Sequence, residues 1–182
     1  LFRSNPQPVP ETASANATSP YAVTKRAAED LIRSFSHQAQ VMILRLPTLY
    51  GLGQEDSFID GLARIALRNE DMELYSFGRT VRDALHVQDA VDAILRAVSI
   101  PQSEPFVSLN LGCGQRLTTA NYANALVSAL CSKSRIVPVE QWSSQSYDLY
   151  ADVREATRVI GFRAPDLNVS MERYARELRT QR

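Results

Sequence analysis

The sequence predicts an α/β fold in which parallel strands are covered by amphipathic helices. Strand-like and helical segments alternate along the chain, the strand-like segments include apolar runs such as VMILRL, and the helical segments each carry one apolar face. Continuous apolar strands are typical of parallel sheets, because helices bury both faces of such a sheet. The chain has 182 residues, 45% of them hydrophobic, which is enough for one domain with a buried core.

The elements can be assigned in order from the amino end. Residues 1–19 contain three prolines and no periodicity, so they predict a loop. Ser19 as the N-cap and Pro20 at the first position predict a helix that continues to about residue 37. Strands are predicted at 41–46, where Pro47 ends the strand and a glycine-bearing loop follows, and at 72–77, 81–87, 106–114 and 135–140. Further helices are predicted at 57–70, 88–100, 118–131, 152–162 and 169–182.

Charge balance and the lengths of the apolar runs exclude several classes of function. Twenty basic and twenty acidic residues give a formal net charge of zero, so no nucleic-acid partner is predicted. The apolar runs fall short of the roughly 20 residues that a membrane-spanning helix needs, and no signal peptide is visible. Cys113 and Cys131 are too few for a disulfide framework or a zinc site. We therefore expect a cytoplasmic protein without a membrane partner, without a metal and with reduced cysteines.

A tyrosine and a lysine at the start of the first predicted helix form the most informative short motif. Tyr21 and Lys25 are four residues apart in SPYAVTKRAAEDL, so their side chains share one helical face. A free phenol titrates at about pH 10, and a nearby cation favours its deprotonated form. Such a pair can exchange a proton with an alcohol or a carbonyl while hydride is transferred. The spacing alone is a weak indication, because it often occurs by chance, and the alternative is a packed tyrosine beside a solvated lysine.

Four segments in sequence order extend this observation: SPYAVTKRAAEDL, VMILRLPTLYGLGQ, GRTVRDALHVQDAVDAI and LNLGCGQRLTTANYANAL. Their order and spacing resemble the extended short-chain dehydrogenase/reductase superfamily, and more narrowly the NAD-dependent epimerase/dehydratase family that acts on nucleotide sugars. The resemblance runs from about Pro8 to the C-terminal helices. It implies a partial Rossmann-like, doubly wound domain in residues 1–50. A small substrate-binding lobe is implied in residues 51–182, with one segment at about 80–112 returning to the main sheet.

The resemblance implies which residues bind the cofactor and transfer the proton. Tyr21 would be the general acid/base. Lys25 would bind the nicotinamide ribose and favour the deprotonated tyrosine. The turn formed by Pro47, Thr48 and Leu49 would pass beneath the nicotinamide and bind its carboxamide through backbone groups. A strand that simply ends at a proline is the alternative for this turn.

Substrate contacts are implied at Thr48 and Arg82. Arg82 would bind the diphosphate of the substrate, because a planar guanidinium matches phosphate oxygens. The alternative for Arg82 is an ion pair with Asp83 or Asp89. His86 is expected to be structural rather than catalytic, and Asp89 is expected to cap the helix that follows.

Parts of the family pattern are absent from this sequence. No strand, glycine-rich turn and helix carry a dinucleotide-binding fingerprint; GLGQED has too few glycines and follows the wrong strand. The chain is therefore expected to be the C-terminal portion of a longer enzyme. Its cofactor, NAD with NADP not excluded, would need an N-terminal half that this sequence lacks, and the chain alone would be inactive.

Two departures bear on the substrate. Thr48 stands where many family members have an asparagine. No arginine lies between Arg135 and Arg154, where a second diphosphate-binding arginine is usual. Trp142 falls in this interval and could stack on a base or a sugar ring, or fill an apolar gap.

The function predicted from these observations is an NAD(P)-dependent epimerase, dehydratase or reductase acting on a nucleotide sugar or a related alcohol or ketone. The alternative is a non-catalytic nucleotide-sensing or partner-binding protein of the same fold. The missing second arginine favours this alternative, whereas the intact Tyr21–Lys25 pair favours the enzyme. The complete enzyme is expected to be a homodimer, because family members often pair through the tyrosine-bearing helix.

Overall fold

The computed structural model describes residues 7–13, 19–55, 57–141 and 148–180. Within these ranges helices and strands alternate, which confirms the predicted α/β class. We number the elements in chain order: α1 Pro20–Ser34, β1 Val41–Arg45, β2 Thr48–Tyr50, α2 Phe58–Arg68, β3 Met72–Leu74, β4 Ala84–His86, α3 Val87–Ser99, β5 Phe106–Asn110, α4 Thr119–Leu130, β6 Ile136–Pro138, α5 Arg154–Ile160 and α6 Leu167–Thr180. A 3-10 turn, Tyr75–Gly78, lies between β3 and β4.

The strands pair in parallel, as the apolar runs predicted. β1 pairs with β5, β2 with β4, and β3 with β6. In the first pair Val41 lies opposite Phe106 and Arg45 lies opposite Asn110. The carboxyl ends of β1 and β5 therefore lie side by side, and the residues that follow both strands meet at one edge.

Helices cover both faces of the β1–β5 pair. Side chains alternate between the two faces of a strand. One face packs against α3 and α5 in an apolar cluster that contains Met42, Leu44, Val107, Leu109, Ala90, Ala93, Ala156 and Ile160. The opposite face contacts α1: Arg45 binds Glu29, and the Arg33 guanidinium carbon lies 4.2 Å from the centre of the Phe106 ring. Parallel strands between helices on both faces form a doubly wound arrangement.

A second apolar cluster lies between α2, α4 and α6. Its buried members include Ile59, Leu62, Met72, Tyr122, Leu126, Met171 and Tyr174. The β2–β4 pair joins the two clusters, because Leu49 and Leu85 pack on the first while Tyr50 and Ala84 pack on the second. The boundary at residue 50 between a Rossmann-like domain and a substrate lobe stays a prediction.

Several elements are shorter than the sequence predicts, and one strand was missed. The segment after Pro47 contains β2, where only a loop is predicted. β3 ends at Leu74 because Ser76 and Phe77 take φ values of 52° and 55°, which are incompatible with an extended strand. β4 begins only at Ala84. Before it, Val81 forms only an isolated antiparallel bridge with Thr118, and its backbone N–H donates to the Asp148 carboxylate at 2.8 Å.

A buried carboxylate joins three loops next to β4. Asp83 accepts hydrogen bonds from the backbone N–H groups of Cys113 and Ala151, each at 2.8 Å. Burial raises the pKa of this carboxyl. The backbone of Gly112 passes directly against it, so that a Cβ at this position would overlap an Asp83 oxygen. The loop that carries Arg82 is thereby fixed against the loop after β5.

We expect Gly112→Ala to lower the free energy of unfolding by about 1–3 kcal/mol, because the added methyl group would displace the Asp83 carboxylate. Gly61→Ala is the matched control. A Cβ at Gly61, which lies within α2, has no neighbour within 4 Å, and alanine there should raise the free energy of unfolding by ~0.5–1 kcal/mol. Urea unfolding of both variants measures the difference. A Gly112→Ala variant as stable as the wild type would contradict the role assigned to this contact.

Candidate active site

The start of α1 places the predicted tyrosine and lysine on one exposed face. The Ser19 side chain accepts a hydrogen bond from the backbone N–H of Ala22 at 3.1 Å, and Pro20 takes the first helical position. This cap fixes where the helix begins and so puts Tyr21 in its first turn. Tyr21 is 71% exposed, and Nζ of Lys25 lies 5.5 Å from the centre of its ring. That distance is within the range of a cation–π contact.

Lys25 differs from the charged residues around it on α1. Arg26 pairs with Asp30 at 3.0 Å, and Glu29 pairs with Arg45. In the part of the chain that the structure describes, Lys25 takes part in no ion pair. Its ammonium group can therefore donate hydrogen bonds to a ligand placed beside Tyr21.

The predicted cofactor turn lies between β1 and β2. Pro47 separates the two strands, Thr48 is exposed at the start of β2, and Leu49 is half-buried in the first apolar cluster. Thr48 lies in register with Ala84, two residues after Arg82. Since β2 and β4 are parallel, Pro47 and Arg82 precede their strands at the same end of this pair. The half-buried Arg82 is held through its backbone, whose N–H donates to the carbonyl of Leu117 at 2.9 Å.

An ion pair that the sequence interpretation missed connects α1 to this region. Arg45 Nε donates to Glu29 Oε1 at 2.9 Å, and Arg45 Nη2 donates to Glu29 Oε2 at 2.7 Å. Arg45 Nη1 also donates to the carbonyl of Glu11 at 2.9 Å, while the Glu11 carboxylate accepts from the backbone N–H of Asn110 at 2.8 Å. The hydrogen bonds that Arg45 donates to the Glu29 carboxylate raise the pKa of Arg45. The helix that carries Tyr21 is thus tied to the end of β1, two residues before Pro47.

The sequence contains a signal for this ion pair. Arg45 is a charged residue inside the apolar strand VMILR, and a charge in such a position requires a partner of opposite charge. The partner cannot be read from periodicity, because Glu29 lies 16 residues away. Only the packing of α1 on the sheet identifies it.

The predicted role of Asp89 as a helix cap is wrong. The residue at the N-cap of α3 is His86, whose Nδ1 accepts from the backbone N–H of Gln88 at 3.2 Å. Asp89 lies in the first turn and accepts a hydrogen bond from Arg173 of α6 at 2.9 Å. The buried His86 also places Nε2 3.1 Å from a carboxylate oxygen of Glu177. Both side chains therefore join the start of α3 to α6, in agreement with the structural role expected for the histidine.

The two acidic residues proposed as ion-pair partners of Arg82 bind other groups. Asp83 binds two backbone N–H groups and Asp89 binds Arg173. Trp142, which was considered as a stacking residue, lies outside the described residues. The interpretation of Arg82 as a phosphate-binding residue therefore stays a prediction that neither acidic neighbour contradicts.

A small, partly open cavity borders β2 and β4. It has a volume of about 10 Å³, at the lower limit for one water molecule, and is lined by Tyr50, His86, Cys113 and Tyr122 among others. Burial raises the pKa values of Tyr50 and Tyr122, so both phenols stay protonated near neutral pH. Tyr21 differs from both in its exposure, which makes it the better candidate for proton exchange with a substrate.

Among the described residues, no three His, Cys, Asp or Glu side chains are grouped in a way that could hold a metal ion. No helix in these ranges has the length and apolar character needed to cross a membrane.

Parallel strands with helices on both faces are the architecture of doubly wound α/β proteins, a class that includes many dinucleotide-binding proteins. The model of the NAD dependent epimerase/dehydratase family matches residues 3–112. The chain belongs to this family.

Individual relatives extend the comparison. A dTDP-glucose 4,6-dehydratase of Mycolicibacterium smegmatis is 34% identical over 98 residues, which are 52% of this chain and 30% of the relative. A putative UDP-glucose 4-epimerase of Methanocaldococcus jannaschii is 23% identical over 155 residues, which are 82% of this chain and 50% of the relative. The solved structure of MoeE5 in complex with UDP-glucuronic acid and NAD superposes with a TM-score of 0.83 at 28% identity, over 100% of this chain and 62% of that one. The chain spans about half the length of the curated relatives it matches.

The two cysteines should differ in reactivity. Burial raises the pKa of the Cys113 thiol to about 12, whereas Cys131 is exposed at the end of α4. At about pH 8, iodoacetamide should therefore modify Cys131 and leave Cys113 unmodified, because the thiolate is the reactive form. Peptide mass spectrometry measures both sites, and Cys131→Ser provides the control in which no rapid modification is expected. Equal rates at the two thiols would show that Cys113 is accessible and ionised.

Proposed function

We propose that this chain supplies the proton-transfer and substrate-binding residues of an NAD-dependent epimerase or dehydratase that acts on a nucleotide sugar. The observation that carries the proposal is the exposed Tyr21 with the Lys25 ammonium nitrogen 5.5 Å from its ring centre. Membership of the epimerase/dehydratase family supports it, as do the relatives named for dTDP-glucose and UDP-glucose.

Tyr21 is proposed to be the general acid/base. In its deprotonated form the phenol accepts the hydroxyl proton of the sugar while the C–O single bond becomes a carbonyl, and it returns the proton in the reverse step. A bound NAD supplies the acceptor for the hydride that leaves the same carbon. The positive charge of Lys25 stabilises the phenolate, and its N–H groups donate to a ribose hydroxyl.

The described residues fit the nicotinamide end of this cofactor. Lys25 has N–H donors that no ion pair occupies within the described ranges, and the exposed Thr48 leaves the turn after β1 open to a ligand. The sequence has no glycine-rich turn between a strand and a helix that could cradle the pyrophosphate. We therefore propose that a dinucleotide-binding segment, on the same polypeptide or on another, completes the cofactor site. Whether NAD or NADP is preferred would be decided by that segment.

Exposed apolar side chains on both sides of the sheet support this second segment. Leu31 of α1 and Phe35 at its C-cap are 62% and 49% exposed; on α3, Leu95 and Val98 are 60% and 82% exposed. Among the described strands, β1 pairs only with β5, which leaves its other edge open for a further strand. The greater length of the relatives is consistent with such a segment. In the complete enzyme we propose a homodimer to which α1 contributes.

Substrate binding is proposed for Thr48 and Arg82. Both lie at the end of the β2–β4 pair, and a planar guanidinium suits the oxygens of a diphosphate. MoeE5 was solved with UDP-glucuronic acid and with UDP-glucose, which makes a uridine diphosphate sugar the first substrate to test.

The decisive test of the proposed function is Tyr21→Phe. The dinucleotide-binding portion of MoeE5 is fused ahead of this chain, and NAD-dependent conversion of UDP-glucose and dTDP-glucose is measured. We expect Tyr21→Phe to lower kcat by about 10²- to 10⁴-fold with little change in KM, because the proton acceptor is lost while binding contacts remain.

Tyr75→Phe is the matched control, since Tyr75 is also exposed, at 48%, but lies in the 3-10 turn before β4. It should leave kcat unchanged, and the unfused chain should show no turnover. A Tyr21→Phe fusion with wild-type kcat would refute the assigned role. A wild-type fusion that binds both ligands without turnover would favour a non-catalytic binding protein.

Diphosphate recognition is tested on the chain itself. We expect Arg82→Gln to weaken UDP binding about tenfold, because hydrogen bonds to a charged group contribute ~1.5–3 kcal/mol. The control is Arg79→Gln, which removes an exposed guanidinium that lies 5.3 Å from the Phe77 ring centre. NMR titration with UDP measures both affinities. Equal weakening in the two variants would indicate unspecific charge attraction rather than a site at Arg82.

A further inference from the structure

Three side chains on α1 follow one another at intervals of four residues. Tyr21, Lys25 and Glu29 therefore lie along one face of the helix, with the lysine in the middle. Lys25 can reach either neighbour, the ring of Tyr21 or the carboxylate of Glu29. In the structure it lies over the ring, and both oxygens of Glu29 are bound to Arg45.

We infer that Arg45 is a positioning residue for the candidate active site. By binding both carboxylate oxygens of Glu29, it prevents Glu29 from pairing with Lys25 and so keeps the ammonium group beside Tyr21. The geometric part of this inference stands on the described contacts. Its catalytic consequence rests on the proposed function.

The geometry favours a durable pairing between Arg45 and Glu29. Each side chain is 20% exposed, and the two parallel N–H···O bonds of 2.9 and 2.7 Å form a bidentate contact. The guanidinium is held in addition by the carbonyl of Glu11, and the backbone of Arg45 is part of β1. A bidentate pair of this kind is stronger than an exposed lysine–glutamate pair one helical turn apart. Glu29 therefore stays bound to Arg45 while Arg45 is present.

The other charged groups around Lys25 have partners of their own. Arg26 and Asp30 pair with each other, and Arg33 lies over an aromatic ring of β5. The Glu11 carboxylate accepts from the backbone of β5. Among the described charged residues of α1, β1 and the 7–13 segment, Glu29 is thus the one whose release would place a carboxylate one turn from Lys25.

A simpler alternative is that Arg45 and Glu29 only anchor α1 to the sheet. The two explanations differ in what they predict for Glu29. If the pair is an anchor, removing either partner disturbs the Tyr21–Lys25 contact, and removing both does not repair it. If Arg45 acts by occupying Glu29, removing Glu29 alone leaves the Tyr21–Lys25 contact intact, and removing both residues restores this contact.

Lysine NMR measures this contact without any turnover. Lys25 and Lys133 are the two lysines of the sequence, so selective ¹³C-lysine labelling gives two ε-methylene signals, and Lys133→Arg assigns them. The ring of Tyr21 shifts the Lys25 signal upfield by its ring current. Tyr21→Leu provides the unshielded reference.

The inference gives a distinct expectation for each variant. Glu29→Gln should keep the full upfield shift. Arg45→Met should reduce it by roughly one third to one half, because a cation–π contact and an exposed ion pair at this spacing are of similar strength. The double variant Arg45→Met/Glu29→Gln should recover the wild-type shift. A double variant that resembles Arg45→Met, or an Arg45→Met variant with the wild-type shift, would overturn the inference.

Folding of each variant is checked by the dispersion of its amide spectrum. If Arg45→Met does not fold, Arg45→Gln replaces it, since glutamine adds no lysine signal and its uncharged amide cannot bind both oxygens in parallel. The Lys25 shift of this variant, measured with and without Glu29→Gln, then distinguishes the positioning role from the anchor. Recovery of the shift together with an inactive fusion would uphold the positioning role and refute the proposed function. An active fusion, together with a double variant that does not recover the shift, would uphold the proposed function and refute the positioning role.

Discussion

The contact of Arg45 with Glu29 and Glu11 is the interaction that joins the segments around the candidate site. A guanidinium at the end of a mostly apolar strand is costly unless its N–H groups are satisfied, and here three of its nitrogen atoms bind acceptors. Those acceptors come from the segment before α1 and from α1 itself. The satisfaction of one charge therefore brings the helix of Tyr21 into contact with the strand that leads to Pro47.

A buried carboxylate joins distant segments in the same way at the loop that carries Arg82. The buried Asp83 carboxylate binds backbone N–H groups from the segments after β5 and before α5, and so holds the loop of Arg82 in place. In both cases one charged side chain joins segments that are distant in sequence. Apolar packing forms the two clusters, but these polar contacts set the relative positions of the residues proposed to bind cofactor and substrate.

Much of this arrangement could be predicted from local patterns in the sequence. Alternating apolar strands and amphipathic helices predicted the α/β class, and the spacing of Tyr21 and Lys25 predicted that they share a helical face. β2 escaped prediction because three residues after a proline carry no periodic signal. The histidine N-cap of α3 was missed because Asp is the more common capping residue. The Arg45–Glu29 pair depends on tertiary packing, which periodicity does not encode.

The candidate site divides into a local part and a distributed part. The Tyr21–Lys25 pair needs only one capped helix, so a short stretch of sequence suffices to form it. A pyrophosphate site needs a strand, a tight glycine turn and a helix N-terminus acting together. The chain has the capped helix that the tyrosine–lysine pair needs, whereas its sequence has no glycine-rich turn between a strand and a helix for a pyrophosphate. The apolar faces of α1 and α3 are exposed on opposite sides of the sheet. A side-chain pair on one helix and a pyrophosphate cradle are thus separate structural requirements, and the described residues of this chain meet the first.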